Sequence, residues 1–194
     1  MKVFGGGGGG GGDEVYIYTR QPVLKVEQKD NLKTPGEQKL TVYFGSHGSF
    51  KKEFLETHNQ YREQHHAPPL VYSEELCKAA QLWADHLLEK GSLGHSDTEN
   101  GENVYYSSSS AKKTPTGKEA VDSWYSEIKV YDFKKSGHQP KTGHFTQVVW
   151  KSSTELGVGL ATDGNKKFVV GQYKPAGNMT NAGYYEQNVL PKTG

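Results

Sequence analysis

Three stretches of the chain repeat apolar residues at helical spacing, and further short stretches alternate as strands do. Ser49 is placed to cap a helix running to about Gln64, with Phe50, Phe54, Leu55, His58 and Tyr61 along one stripe. Pro68-Pro69 ends it. Ser73 caps a second helix whose first turn holds Glu74 and Glu75 at the positive end of the dipole, and Gly91 closes it. Its apolar stripe is Leu76, Ala80, Trp83 and Leu87; Cys77 lies beside that stripe and reads as a small buried residue. Thr116-Gly117-Lys118-Glu119 has the form of a capping box. It opens a third helix with Ala120, Trp124, Ile128 and Tyr131 on the buried side and Glu127 next to the stripe.

Gly143 to Trp150 compresses an imidazole, two polar side chains and four large apolar ones into eight positions. That is the composition of a helix edge with one side buried and the other on a polar cleft. Gly157–Leu160 and Phe168–Val170 follow as two strands, with Asp163-Gly164 as the hairpin turn between them. After Gly91 comes a Gly/Ser/Asn-rich loop holding His95 and Glu102, with Ser107 to Ser110, Lys112 and Lys113 exposed. Upstream, Val15-Tyr16-Ile17-Tyr18 and Leu40-Thr41-Val42-Tyr43-Phe44 alternate and can pair as a hairpin. The tract Gly5–Gly12 has no side chains to pack and the most backbone entropy to lose, so it is expected to stay disordered. Helices flanking a short sheet predict an α+β fold.

Length and composition narrow the function classes. At 194 residues the chain is one domain with an extension. Lys and Arg number 23 against 22 Asp and Glu, so net charge advertises no nucleic-acid partner, and any attraction to a membrane must come from local patches. A single cysteine forbids an intramolecular disulfide and favours a reducing compartment. No signal-like apolar region follows Met1-Lys2-Val3-Phe4, and no run approaches ~20 apolar residues. These features predict a soluble cytosolic protein, in which the sequon Asn178-Met179-Thr180 has no role.

Gly143 to Trp150 resembles the first signature of the CAP superfamily, the cysteine-rich secretory protein, antigen 5 and pathogenesis-related 1 domain. Phe168 to Met179 is similar to the second, with Gly171 where secreted members usually carry cysteine. Gly94-His95-Ser96 and Gly101-Glu102-Asn103-Val104 agree with these, and the likeness spans Ser49 to Pro191. Trp124 to Lys129 and Glu186 to Pro191 are most similar to the Golgi-associated plant pathogenesis-related group. Residues 1–48 are then a glycine-rich extension and 49–194 the CAP domain, for which the resemblance implies a three-layer α-β-α sandwich. Lipid-anchored members of the group begin Met-Gly; this chain begins Met1-Lys2, which forbids N-myristoylation there.

The resemblance also implies that His95, Glu102, Glu127 and His144 line one cleft, which spacing alone does not show. Two neutral imidazoles are ligands for zinc or copper, and two carboxylates can orient the rings or hold a metal-bound water. No cofactor is required; Zn2+ is the one the pair would take. Tyr105, Tyr106 and Ser107 follow the cleft glutamate and are candidates to line a ligand surface. Three readings of function stand side by side. The first is a non-enzymatic binding module on anionic phospholipid surfaces, peripheral on Golgi or other membranes, with protein partners or a homodimer as the group allows. The second is a protease- or esterase-like hydrolase using His144 and Glu127; a glycosidase pair of Glu102 and Glu127 is a variant on chemistry alone. The third is a secreted defence-type or sterol-binding protein. Among the remaining histidines, His58 reads as helix packing, His65-His66 as a polar helix end, and His47, His86 and His138 as surface.

Overall fold

The computed structural model describes residues 3–5, 15–17, 24–26, 47–111, 113 and 115–193. Its centre is a four-stranded sheet ordered β4-β6-β7-β5, comprising β4 (Val71–Tyr72), β5 (Gly101–Ser108), β6 (Glu155–Thr162) and β7 (Lys166–Lys174). β6 and β7 form the predicted hairpin, longer at both ends than the apolar runs. In its turn, the Asp163 carboxylate accepts from the N–H groups of Asn165 (2.9 Å) and Lys166 (2.7 Å), and Gly164 adopts φ +94°. β5 pairs antiparallel with β7 and β4 parallel with β6.

Helix α2 (Glu74–Lys90) covers one face of the sheet. It comes so close that a Cβ on Gly157 or Gly159 would lie 2.2 and 2.4 Å from the backbone of Leu76 and Ala80. Its ends follow the sequence: Ser73 accepts from the Leu76 N–H, and Gly91 closes the helix at φ +74°. Cys77 is half-buried beside the stripe, and desolvation raises its thiol pKa. The opposite face carries α1 (Gly48–Gln64), α3 (Gly117–Tyr125), a 3-10 turn (Ser126–Val130), and α4 (Gly143–Val148). Phe54, Trp124, Phe145, Trp150, Val158 and Tyr173 form the main core there, so the expected α-β-α layering is present. Gly171 faces this core; a Cβ would lie 3.2 Å from the Phe54 ring and 3.3 Å from Trp124, leaving little room for a cysteine. Short α5 (Tyr184–Asn188) packs Tyr185 edge-on against Trp150.

Several expectations need correction. α1 starts at Gly48 with His47 in the capping position and no side-chain cap, so Ser49 lies inside the first turn. The third helix is α-helical only to Tyr125 and tightens to 3-10 over Ser126–Val130, placing Ile128 and Tyr131 at the core margin. α4 ends at Val148, before Trp150. The segment Gly101–Ser108, including Ser107, is a strand rather than loop, because β7 offers it a full antiparallel ladder. His65 is buried, not a polar helix end: Nδ1 lies 2.6 Å from the Leu190 carbonyl and Nε2 2.8 Å from the Tyr125 hydroxyl. Val15–Ile17 (β2) pairs with Val3–Gly5 (β1) and Leu24–Val26 (β3), so Gly5 of the glycine tract is in a strand. Leu40–Phe44, Gly6–Gly12 and Lys112 lie outside the described residues.

Candidate functional site

The four residues implied by the resemblance form two His–Glu pairs at one edge of the sheet. Glu102 and Asn103 are consecutive on β5 and so point to opposite faces. Glu102 takes the face of its cross-strand partner Gln172, whose amide donates to Oε2 at 3.1 Å. Its Oε1 accepts from the Ser96 N–H at 2.8 Å and from His95 Nδ1 at 3.1 Å, while the Ser96 hydroxyl donates to Oε2. The Glu102 side chain is 4% exposed and that of His95 66%, so a buried, fully bonded carboxylate holds an open imidazole.

The second pair is built around the start of α4. Glu127, on the 3-10 turn, accepts from the Phe145 N–H at Oε1 (3.0 Å) and from His144 Nδ1 at Oε2 (2.9 Å). Thr142 makes no side-chain cap, so this carboxylate takes the capping role from another element and sets a negative charge at the helix's positive end. The other end of α4 meets a buried cation. Arg62, fully buried, donates from Nη1 to the carbonyls of Val148 (3.1 Å) and Trp150 (2.8 Å), from Nη2 to Ser153 (2.8 Å) and from Nε to Pro68 (2.8 Å). Burial lowers its pKa to about 10, and it stays charged at neutral pH.

Asn103, the residue after Glu102, reaches the backbone of the second pair. Its amide donates to the His144 carbonyl at 3.1 Å and to the Tyr173 hydroxyl at 3.4 Å. Tyr173 donates to His58 Nε2 at 2.6 Å, and His58 Nδ1–H donates to the Phe54 carbonyl at 2.8 Å. The direction of this chain sets the His58 tautomer. Asn178, at φ +58°, secures α4 by donating to the Gly143 carbonyl (2.9 Å) and accepting from Thr146 (2.6 Å).

Ser96, Asn103, Gln172 and Arg62 are site-supporting residues that periodicity did not reveal. Ser96, Asn103 and Gln172 lie inside the motif stretches that carry the resemblance, the one available signal; Arg62 had none. Tyr105 is half-buried against the main core, whereas Tyr106 lies on the other face, 4.9 Å from the Phe168 ring. Ser107 stands opposite Lys167, five residues and about 17 Å along the strand from Glu102. Among the described residues no hydroxyl or thiol bonds to the free Nε2 of His95 or His144, and no three His, Cys, Asp or Glu side chains converge as a metal-holding group.

Residues 55–173 match the sequence profile described as the cysteine-rich secretory protein family, CAP. The chain belongs to the CAP family. It is 44% identical over 148 residues to Golgi-associated plant pathogenesis-related protein 1 of Homo sapiens, covering 73% of this chain and 93% of that protein. It is 37% identical over 145 residues to Protein PRY2 of Saccharomyces cerevisiae, again over 73% of this chain but 41% of that protein. The solved structure of BmVAL-1 superposes with a TM-score of 0.59 at 26% identity, over 75% of this chain and 83% of that one. Among the described residues no helix is long and apolar enough to cross a membrane.

Proposed function

We propose that this CAP domain is a non-enzymatic binding protein that docks peripherally on anionic membrane surfaces, with a His/Glu cleft able to take a divalent cation such as zinc. The observation that carries the cleft reading is the matched orientation of its two imidazoles. Each turns Nδ1 to a glutamate, at 3.1 and 2.9 Å, and among the described residues Nε2 has no hydrogen-bond partner. That is how second-shell carboxylates prepare metal-ligating histidines. With both carboxylates already bonded, a cation in the cleft would be left to the imidazole nitrogens of His95 and His144, and two protein ligands would give modest affinity. A bound cation would add positive charge beside the sheet edge.

The non-enzymatic part rests on the same geometry. A His–Glu pair is half of a nucleophilic site, and among the described residues neither imidazole has a hydroxyl or thiol against its free nitrogen. The lipid part draws on the family relationship and on the name of the human Golgi-associated relative. Peripheral association on the Golgi or a related membrane is the corresponding location.

The test is co-sedimentation with phosphatidylinositol-containing vesicles, comparing wild type with His95→Ala/His144→Ala, each with zinc and with chelator. Zinc-enhanced binding that disappears in the double variant supports a metal-dependent membrane contact. Binding indifferent to zinc and to the substitutions separates the cleft from the lipid surface. No vesicle binding under any condition overturns the lipid reading.

A further inference from the structure

The connection between the two halves of the second His–Glu pair packs Tyr131 and one side of Phe133 on the core and turns a charged surface outward. Between Glu127 and His144 the chain makes a loop, residues 129–141, whose base is closed by the 2.9 Å contact of those two side chains. It holds Lys129, Lys134, Lys135 and Lys141 against one acid, Asp132. Its net charge of +3 compares with +1 for the whole chain, so the rest of the protein is net negative. All four lysines are exposed, and among the described residues none forms an ion pair.

Two apolar side chains stand among these cations: Val130 is 65% exposed and Phe133 36%. The loop is preorganised. The Gln139 amide donates to the carbonyls of Asp132 (2.8 Å) and Lys135 (3.0 Å), and its oxygen accepts from the Asp132 N–H (2.9 Å). Asp132 accepts from the Lys134 N–H at 2.9 Å, so the one acid of the loop is turned to backbone. Underneath, Phe133 packs edge-on to Tyr131 (ring centres 4.9 Å) and Phe145 (6.3 Å), which ties the loop to the residue after His144.

We propose that this Lys-rich loop, with the exposed side chain of Val130 and the exposed part of Phe133, is the surface by which the protein meets an anionic phospholipid bilayer. Lysines ringing exposed apolar side chains match an interface that is negative at the headgroups and apolar just below them. A short apolar insertion is marginal alone and so is a short basic patch; together they make a reversible peripheral contact. Because the loop's base is the Glu127–His144 pair, the membrane contact would be joined through that pair to the cleft. This inference rests on the lipid part of the proposed function and assigns it to a place.

The experiment is co-sedimentation of the full chain with phosphatidylcholine vesicles containing phosphatidylinositol and with pure phosphatidylcholine vesicles. Wild type is compared with Lys134→Glu/Lys135→Glu, with Val130→Ser, and with the charge-matched control Lys90→Glu/Lys174→Glu on α2 and β7. Each surface lysine contributes about fivefold to partitioning, so the loop charge variant is expected to weaken binding by roughly 30-fold or more. Val130→Ser is expected to weaken it roughly fivefold with charge intact. The control should change binding by roughly threefold or less, and pure phosphatidylcholine should bind no variant. Equal losses in loop variant and control, or wild-type binding by both loop variants, would overturn the assignment to the loop while leaving lipid association standing. Failure of wild type to bind the anionic vesicles would overturn both.

Discussion

Acidification offers a direct measure of how deeply the polar network under the cleft is buried. His58 is fully buried, and desolvation, with a further push from Arg62, lowers its pKa from the ordinary 6.5 to about 3, against a smaller raising effect of its bond to Phe54. In the unfolded chain the same imidazole protonates near 6.5, so below that pH the unfolded state binds a proton that the folded state refuses. Stability is therefore fully present above about pH 6.5 and falls by about 1.4 kcal/mol per pH unit until the folded pKa is reached. At pH 5 the loss from His58 alone is about 2 kcal/mol relative to pH 7.5. The geometry shows why: a proton on Nε2 would face the Tyr173 hydroxyl that now donates to it from 2.6 Å. Urea denaturation across pH 7.5 to 5 measures the total loss, to which His65, also lowered by burial, adds. His58→Gln isolates the contribution. Its stability at pH 7.5 should drop by roughly 1–3 kcal/mol through lost hydrogen bonds, but its further loss at pH 5 should be about 2 kcal/mol smaller than that of wild type. An unchanged acid slope in the variant, or an imidazole resonance of His58 titrating near 6.5, would refute the reasoning.

Two further predictions concern the supports of the site. Arg62→Met leaves the carbonyls of Pro68, Val148, Trp150 and Ser153 without their donor. It should cost about 3 kcal/mol or more in denaturant titration, and Arg62→Lys should recover less than half, since a point ammonium cannot span a guanidinium's donors. A loss below ~1 kcal/mol for Arg62→Met would mean the desolvation penalty of the buried charge cancels its bonds. Gly159→Ala would place a Cβ 2.4 Å from the Ala80 backbone and should lower stability by about 2–3 kcal/mol, measured as a shift in thermal midpoint. Gly94→Ala, with nothing within 4 Å, should stay within ~0.5 kcal/mol.

How far the sequence was legible differs from element to element. The α2 boundaries were readable because Ser73, Glu74, Glu75 and Gly91 act within one turn of the helix ends. The β6–β7 turn was readable because Asp163-Gly164 closes on its own neighbours. β5 was not, because Gly, Asn and Ser form a strand there only when β7 supplies the ladder. Arg62 was hidden for a different reason: a guanidinium counts as exposed in any hydropathy pattern, and what draws it inside is four carbonyls from distant segments. His65 turned inward because the Leu190 carbonyl and Tyr125 hydroxyl satisfy both ring nitrogens.

Local chemistry in the sequence thus determined the helical stripes, most of the caps, the hairpin turn and, through the Gly143–Trp150 and Phe168–Met179 stretches, the family. The tertiary structure decided which imidazole faces which carboxylate. His95 and Glu102 are close in the chain, but Glu127 and His144 meet only because the loop between them closes, and Asn103 reaches His144 only because β5 is packed against α4. Periodicity reports the side of an element that is buried; it carries no term for the direction of a side chain relative to an element forty residues away. That direction is set by packing and by the need to bond every buried polar group, and both exist only once the layers have assembled.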